Sequence, residues 1–147
     1  MGNLANHYGN LRKHAEAEKL QQKVLEQQIA TLGSQHLDTL GTMSNLANSY
    51  RDLGKYAEAM QLEQNVLEQR TTILGPHHPD TLRAMSNLAG SYAGLGKYAE
   101  AKQLALKVLE QQTALLGPIH SDTLQTIGKL AILQQNMKKY AEAEQLE

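Results

Sequence analysis

Three His-x-Asp pairs, His36/Asp38, His78/Asp80 and His120/Asp122, are the residues of this chain best suited to chemistry. An imidazole two residues from a carboxylate could move a proton or supply part of a metal site. A metal, however, needs three or four donors converging within about 2–2.5 Å of the ion. The pairs recur every 42 residues, so a stack of repeats holds successive pairs apart. Even with His77 added, one corner offers too few ligands. Loop packing and helix capping therefore account for the motif. Asp38, Asp80 and Asp122 each fall in a first helical turn, where a carboxylate can cap free N–H groups and meets the positive end of the dipole. A second candidate, Gly90-Ser91-Tyr92-Ala93-Gly94-Leu95-Gly96-Lys97, resembles a phosphate loop only superficially. The pattern needs four residues between its glycines and a Ser or Thr after Lys; here there are five, and Tyr98 follows. No nucleophile–base pair stands outside these repeated positions. The expectation is a protein with no catalytic residue, no cofactor and no metal.

The elements that must position these residues follow from the repeat itself. Met43-Ser44-Asn45-Leu46-Ala47 returns as Met85-Ser86-Asn87-Leu88-Ala89, and Gly54-Lys55-Tyr56-Ala57-Glu58-Ala59 returns unchanged at Gly96–Ala101. The same period places Met1, Leu4, Ala5, Ala15, Glu16 and Ala17 in register before them, and Ile127, Leu130, Ala131, Tyr140, Ala141, Glu142 and Ala143 after them. The two complete copies agree at roughly two-thirds of positions. A fixed period of this size predicts a solenoid, because one unit cannot bury its apolar face without a neighbour.

Each unit reads as two helices. The first spans about Thr39 to Leu53, with Leu40, Met43, Leu46, Ala47, Tyr50 and Leu53 at spacings of three and four. Gly54 closes it. The second spans about Tyr56 to Leu74, with Tyr56, Ala59, Leu62, Val66, Leu67, Ile73 and Leu74 on one stripe, and Gly75-Pro76 stops it. Ala47 and Ala59 mark the closest approach of the pair. The expected architecture is an all-α, right-handed α-solenoid of antiparallel helix pairs, about three and a half repeats in a single array over 1–147. Repeat 1 covers about 1–33, repeat 2 about 37–75, repeat 3 about 79–117 and repeat 4 about 121–147. The first begins partway into a helix, the last stops a few residues into its second, and the chain reads as a fragment of a longer array without polar caps.

Composition agrees. There is no Trp, Phe or Cys, so Leu, Ala, Val, Ile and Met must fill the core, and disulfides and thiolate metal sites are excluded. A net charge of −1 supplies no field for nucleic acid or an anionic membrane surface. No apolar run approaches the roughly 20 residues of a membrane span, and the first residues lack a signal peptide's apolar stretch. A cytoplasmic location is the expectation.

The Leu-Ala pair, the Tyr three residues on, and the Gly-Lys-Tyr-Ala-Glu-Ala block resemble the tetratricopeptide repeat, whose ordinary unit is about 34 residues. The longer unit is similar to the repeats of kinesin light chains, which share Leu-Gly-x-x-His-Pro-Asp. Through Leu74-Gly75-Pro76-His77-His78-Pro79-Asp80-Thr81-Leu82 and Leu62-Glu63-Gln64-Asn65-Val66-Leu67-Glu68 the chain resembles more closely still the repeats at the C-terminal end of fungal and bacterial NLR-like nucleotide-binding receptors. The terminal copies depart from the pattern: Arg12 and His14 replace Gly and Tyr in the first, Lys138 and Gln134 replace Gly and Tyr in the last.

The resemblance implies a protein- or peptide-binding scaffold whose first helices line a concave groove, as the recognition part of a larger receptor or adaptor. The groove-facing candidates are Asn3, Asn6, Ser44, Asn45, Asn48, Arg51, Arg83, Ser86, Asn87, Lys129 and Ile132. Asn side chains match the donor and acceptor of a peptide amide. Arg51, Arg83 and Lys129 could select acidic side chains or a carboxylate. Gly90 and Gly94 would make room for a bulky segment. The rival expectation is a homo-oligomer, packed through uncapped apolar ends around Met1–Leu4 and Leu130–Leu146. Neither reading involves nucleic acid or a membrane.

Overall fold

The computed structural model describes residues 2–145, with side chains from 12 to 143. Six helices follow one another among them: α1 (Gly2–Leu32), α2 (Leu37–Asp52), α3 (Tyr56–Leu74), α4 (Pro79–Gly94), α5 (Tyr98–Leu116) and α6 (Ser121–Gln145). Each packs chiefly on its neighbours in the chain, with an added contact between α2 and α4. The result is an all-helical solenoid in which α2, α4 and α6 are successive first helices.

The connections show why the chain turns where it does. At the end of α2 the Lys55 N–H donates to the Tyr50 carbonyl at 2.7 Å, and the Gly54 N–H donates to Arg51 at 2.9 Å. This paired closure needs a left-handed residue, which Gly54 supplies at φ 78°. The α4 end repeats it through Lys97 and Gly96. At the helix starts, the histidine makes the cap. Nδ1 of His36, His78 and His120 accepts the N–H of Asp38, Asp80 and Asp122 at 3.1 Å in every copy. The expected aspartate cap is thus corrected: the carboxylate lies in the first turn, and the ring satisfies the free N–H. Thr81 and Thr123 add a bond to the Gly75 and Gly117 carbonyls at 2.8 and 2.9 Å. Among the described residues no group of three His, Asp or Glu side chains gathers to hold a metal ion.

Where the turn glycine is missing, the turn is missing too. α1 runs through Arg12 as one helix of 31 residues, and α6 runs through Lys138 as one of 25 residues. The two-helix expectation fails in both terminal copies for that reason. Any side chain other than Gly pays to adopt positive φ, and continuing the helix avoids the cost.

The core is aliphatic and small. Leu40 and Met43 of α2 pack with Val66 of α3 and Ala84 of α4. Leu82 and Met85 of α4 pack with Val108 of α5. Ala89, Ala101, Ala105, Leu130 and Leu133 form the next layer. Each fully buried Leu or Val contributes about 1.5–3 kcal/mol. Ala47, Ala59 and Ala101 are completely buried, as the close helix approach requires.

Candidate binding site

A ladder of equivalent positions runs along the stack between neighbouring helices, and its chemistry changes from one repeat to the next. Ser49 donates to Gln21 Oε1 at 2.7 Å between α2 and α1. One repeat on, Ser91 of α4 donates to Glu63 Oε2 of α3 at 2.6 Å. One repeat further, the pair is Leu133 and Ala105, and both are buried in an apolar layer. A second ladder behaves alike: Gln22 donates to the Tyr50 hydroxyl at 2.9 Å and Gln64 to the Tyr92 hydroxyl at 3.2 Å. Its next members are Leu106 and Gln134.

Glu63 is held between two neighbours, Ser91 and Arg51. It is buried on α3, and its Oε1 lies 3.0 Å from Arg51 Nη1. That contact is ionic, because Nη1 directs a hydrogen bond at the Asn87 carbonyl of α4, 2.7 Å away. Arg51 Nη2 also donates to Asn48 Oδ1. Burial pushes the Glu63 carboxyl above the ordinary glutamate value, while the Ser91 hydrogen bond and the Arg51 charge pull it down. Arg51 therefore fills the space between α2 and α4, where it was expected to stand free for an acidic ligand. Its guanidinium lies just over Gly90, where a Cβ would sit 3.5 Å from Nη1.

Between α4 and α6 that filling is absent. Ala93 stands in the register of Arg51, and Ala105 in that of Glu63. The space opens into a recess of about 230 Å³, walled by Ala89, Gly90, Ala93, Ala105, Ile132 and Leu133. Ser86, Thr126, Lys129 and Asn136 ring it. Lys129 donates to Ser86 Oγ across the mouth at 3.1 Å. Partial burial first, and repulsion from Arg51 second, hold its ammonium below the ordinary lysine value. A polar cleft of about 80 Å³ adjoins the recess, lined among others by Arg83, Ser86, Asn87, Gln112 and Lys129.

The expected groove residues divide accordingly. Arg83, Ser86, Asn87 and Lys129 come together between α4 and α6, with Ile132 on the recess wall. Asn45 is exposed, Ser44 is buried, and Asn48 and Arg51 bond to each other. Asn3 and Asn6 lie outside the described side chains. Gly90 lines the recess, but Gly94 is already occupied: a Cβ there would overlap the Tyr56 ring of the preceding repeat. The recess residues Ala93, Ala105 and Leu133 escaped sequence reasoning. A signal existed in the switch from Arg51, Glu63 and Ser91 to Ala93, Ala105 and Leu133 at the 42-residue offset.

At the far end of the array, Leu130, expected to be exposed, is buried with Leu133, because α6 packs them on α5. Met1–Leu4 lie outside the described side chains. No helix among the described residues is long and apolar enough to cross a membrane.

The tetratricopeptide repeat family matches residues 1–71, 40–110 and 84–147. Among solved structures, the chain is similar to a proposed kinesin light chain with nearly identical TPR-like repeats from Podosopora anserina. The TM-score is 0.81 at 30% identity, over 98% of this chain and 68% of that one. A single-substitution form of that protein matches at 0.81 and 29%, over the same shares. BtubC (BKLC) from P. vanneervenii shares the fold at 0.76 and 18% identity, over 96% of this chain and 56% of its own. None of these three names a nucleotide-binding receptor, and no curated protein matches the sequence. Tetratricopeptide arrays are generally non-catalytic scaffolds for protein–protein interaction, and this chain, matched by the repeat along its whole length, belongs to that family.

Proposed function

We propose that the chain is a non-catalytic peptide-binding module, the recognition part of a larger cytoplasmic receptor or adaptor, that seats one bulky apolar side chain in the recess between α4 and α6. The supporting observation is the recess itself: an apolar floor at Ala105, with a basic and amide-bearing rim. An apolar cavity of about 150 Å³ accepts a benzene-sized group, and this one measures about 230 Å³. Lys129 and Arg83 at the rim favour a segment carrying a carboxylate next to the apolar residue. Asn87 and Asn136 offer donors and acceptors to its backbone. Lys129, already crowded by Arg51, gains from an anion that offsets the repulsion.

A methyl-labelled sample tests this with a defined probe, an acetylated peptide of one leucine between two aspartates. Titration should shift the methyl signals of Ala89, Ala93, Ala105 and Ile132 saturably, and leave Ala47 and Ala59 in place. Shifts spread evenly along the stack, or none at concentrations of probe in the millimolar range, would remove the recess as the site.

A further inference from the structure

Two furrows of one design open along the stack, and the first carries an unbalanced charge. It is a space of about 390 Å³ between α1 and α3, both of which pack on α2. Leu46 and Tyr50 of α2 line it, with Leu25 and Ile29 from α1 and Leu62 from α3. Ile29 is 44% exposed. Its counterparts in the later repeats are Thr71 and Thr113, whose hydroxyls bond back to their own helices at Leu67 and Leu109. An apolar side chain is therefore left open in this copy alone. The furrow shares no residue with the recess between α4 and α6, and helices of this chain bound it on both sides. Glu26 of α1 and Glu58 of α3 set a carboxylate on each wall, and no cation lines the space. Both are exposed, and neither forms an ion pair among the described residues. Lys55, close to Glu58 in sequence, is held by Glu18 at 3.3 Å. No third His, Asp or Glu among the described residues joins the two acids, so a metal ion lacks ligands there. The furrow one repeat on measures about 340 Å³ and keeps Leu88, Tyr92, Leu104 and Glu100 at the same positions, but Lys107 enters its lining and balances Glu100.

We propose that the furrow between α1 and α3 docks a segment of another protein in which an aliphatic residue is flanked by lysine or arginine. The aliphatic side chain lies against Leu25, Ile29 and Leu62, and the flanking cations meet Glu26 and Glu58. Complementary charge selects this occupant over an acidic or neutral segment. The methylene stems of the basic residues add apolar contact while their charged heads stay at the rim. The balanced charge of the second furrow gives a basic segment no such preference. This docking does not depend on what the recess between α4 and α6 holds.

A peptide of one leucine between two lysines, acetylated and amidated, tests it by titration into the methyl-labelled chain. The methyl signals of Leu25, Ile29, Leu46 and Leu62 should shift saturably. Those of Leu88 and Leu104 in the second furrow, and of Ala105 and Ile132 in the recess, should stay in place. Glu26→Lys/Glu58→Lys should weaken binding by about tenfold or more. Both positions are exposed, and far-UV circular dichroism checks that the variant keeps its helices. Exchanging the leucine of the peptide for serine should weaken binding about as much, because the apolar contact is lost. Equal binding by the charge-reversed variant overturns the proposal. So does equal binding of the serine peptide, which would reduce the contact to general attraction between unlike charges. Equal shifts at the two furrows, or no shift with the peptide in the millimolar range, overturn it as well.

Discussion

Arg51→Ala removes the cation that faces the Glu63 carboxylate and leaves Ser91 as its hydrogen-bond partner. Breaking a buried ion pair from one side costs about 3–5 kcal/mol when the survivor is sealed from water. Ser91 still donates after the change, and removal of the partly exposed arginine side chain admits water. The expected loss is therefore lower, about 2–3 kcal/mol near neutral pH. Removing both charges in Arg51→Ala/Glu63→Ala should recover about 1 kcal/mol or more relative to the single change, because no charge is left stranded. The pH dependence supplies a second check. Burial raises the Glu63 carboxyl above 4.5 in the folded chain. A raised folded value means that protonation favours the folded state. That contribution is fully present below the unfolded value and is lost as pH rises through the folded one. Without Arg51 the folded value climbs further. The deficit of Arg51→Ala against wild type should therefore be smallest near pH 4.5 and widen toward neutrality. Urea unfolding followed by circular dichroism across a pH series reads both effects, and titrations common to the two proteins cancel in the difference. A deficit under about 0.5 kcal/mol, or one flat in pH, would refute the buried pair as the keystone of the α2–α4 junction.

Other expectations follow from single contacts. His78→Ala removes the Nδ1 acceptor for the Asp80 N–H and should cost about 1 kcal/mol in urea unfolding, with His78→Asn restoring most of it. Gly94→Ala sets a methyl against the Tyr56 ring; it should cost about 1–3 kcal/mol, and pairing it with Tyr56→Leu should relieve most of that loss. Arg51→Ala/Glu63→Ala/Ser91→Leu copies the later repeat's residues into the earlier junction. It should open a second apolar recess, seen as a second binding site for the leucine–aspartate peptide in calorimetry; a stoichiometry unchanged at one would show that the register switch does not create the recess.

Much of the architecture was legible in the chain because the 42-residue offset repeats whole turns, stripes and stops, and Gly54 and Gly96 close helices by a local rule. The same rule read in reverse would have given the continuous α1 and α6, since Arg12 and Lys138 offer no residue suited to positive φ. The helix starts misled for a different reason. Asp and His both cap, and composition alone does not say which side chain turns its acceptor back onto the free N–H. The groove was legible only as a face. The recess depends on cross-repeat differences: Arg51 and Glu63 fill one junction, and Ala93 and Ala105 leave the next one open. The consensus hides such differences, since it averages over them. Gly94 shows the same limit, because its missing Cβ serves Tyr56 and leaves no space for a ligand.

Capture of a peptide side chain by the recess over Ala105 is open to one direct measurement. Fluorescence anisotropy of a labelled leucine–aspartate peptide tests it against Ala93→Arg/Ala105→Glu, which rebuilds the filled junction of Arg51 and Glu63 in that place. Saturable binding to wild type and at least about tenfold weaker binding to the filled variant are expected, with helicity unchanged. Equal affinity for the two proteins would contradict it.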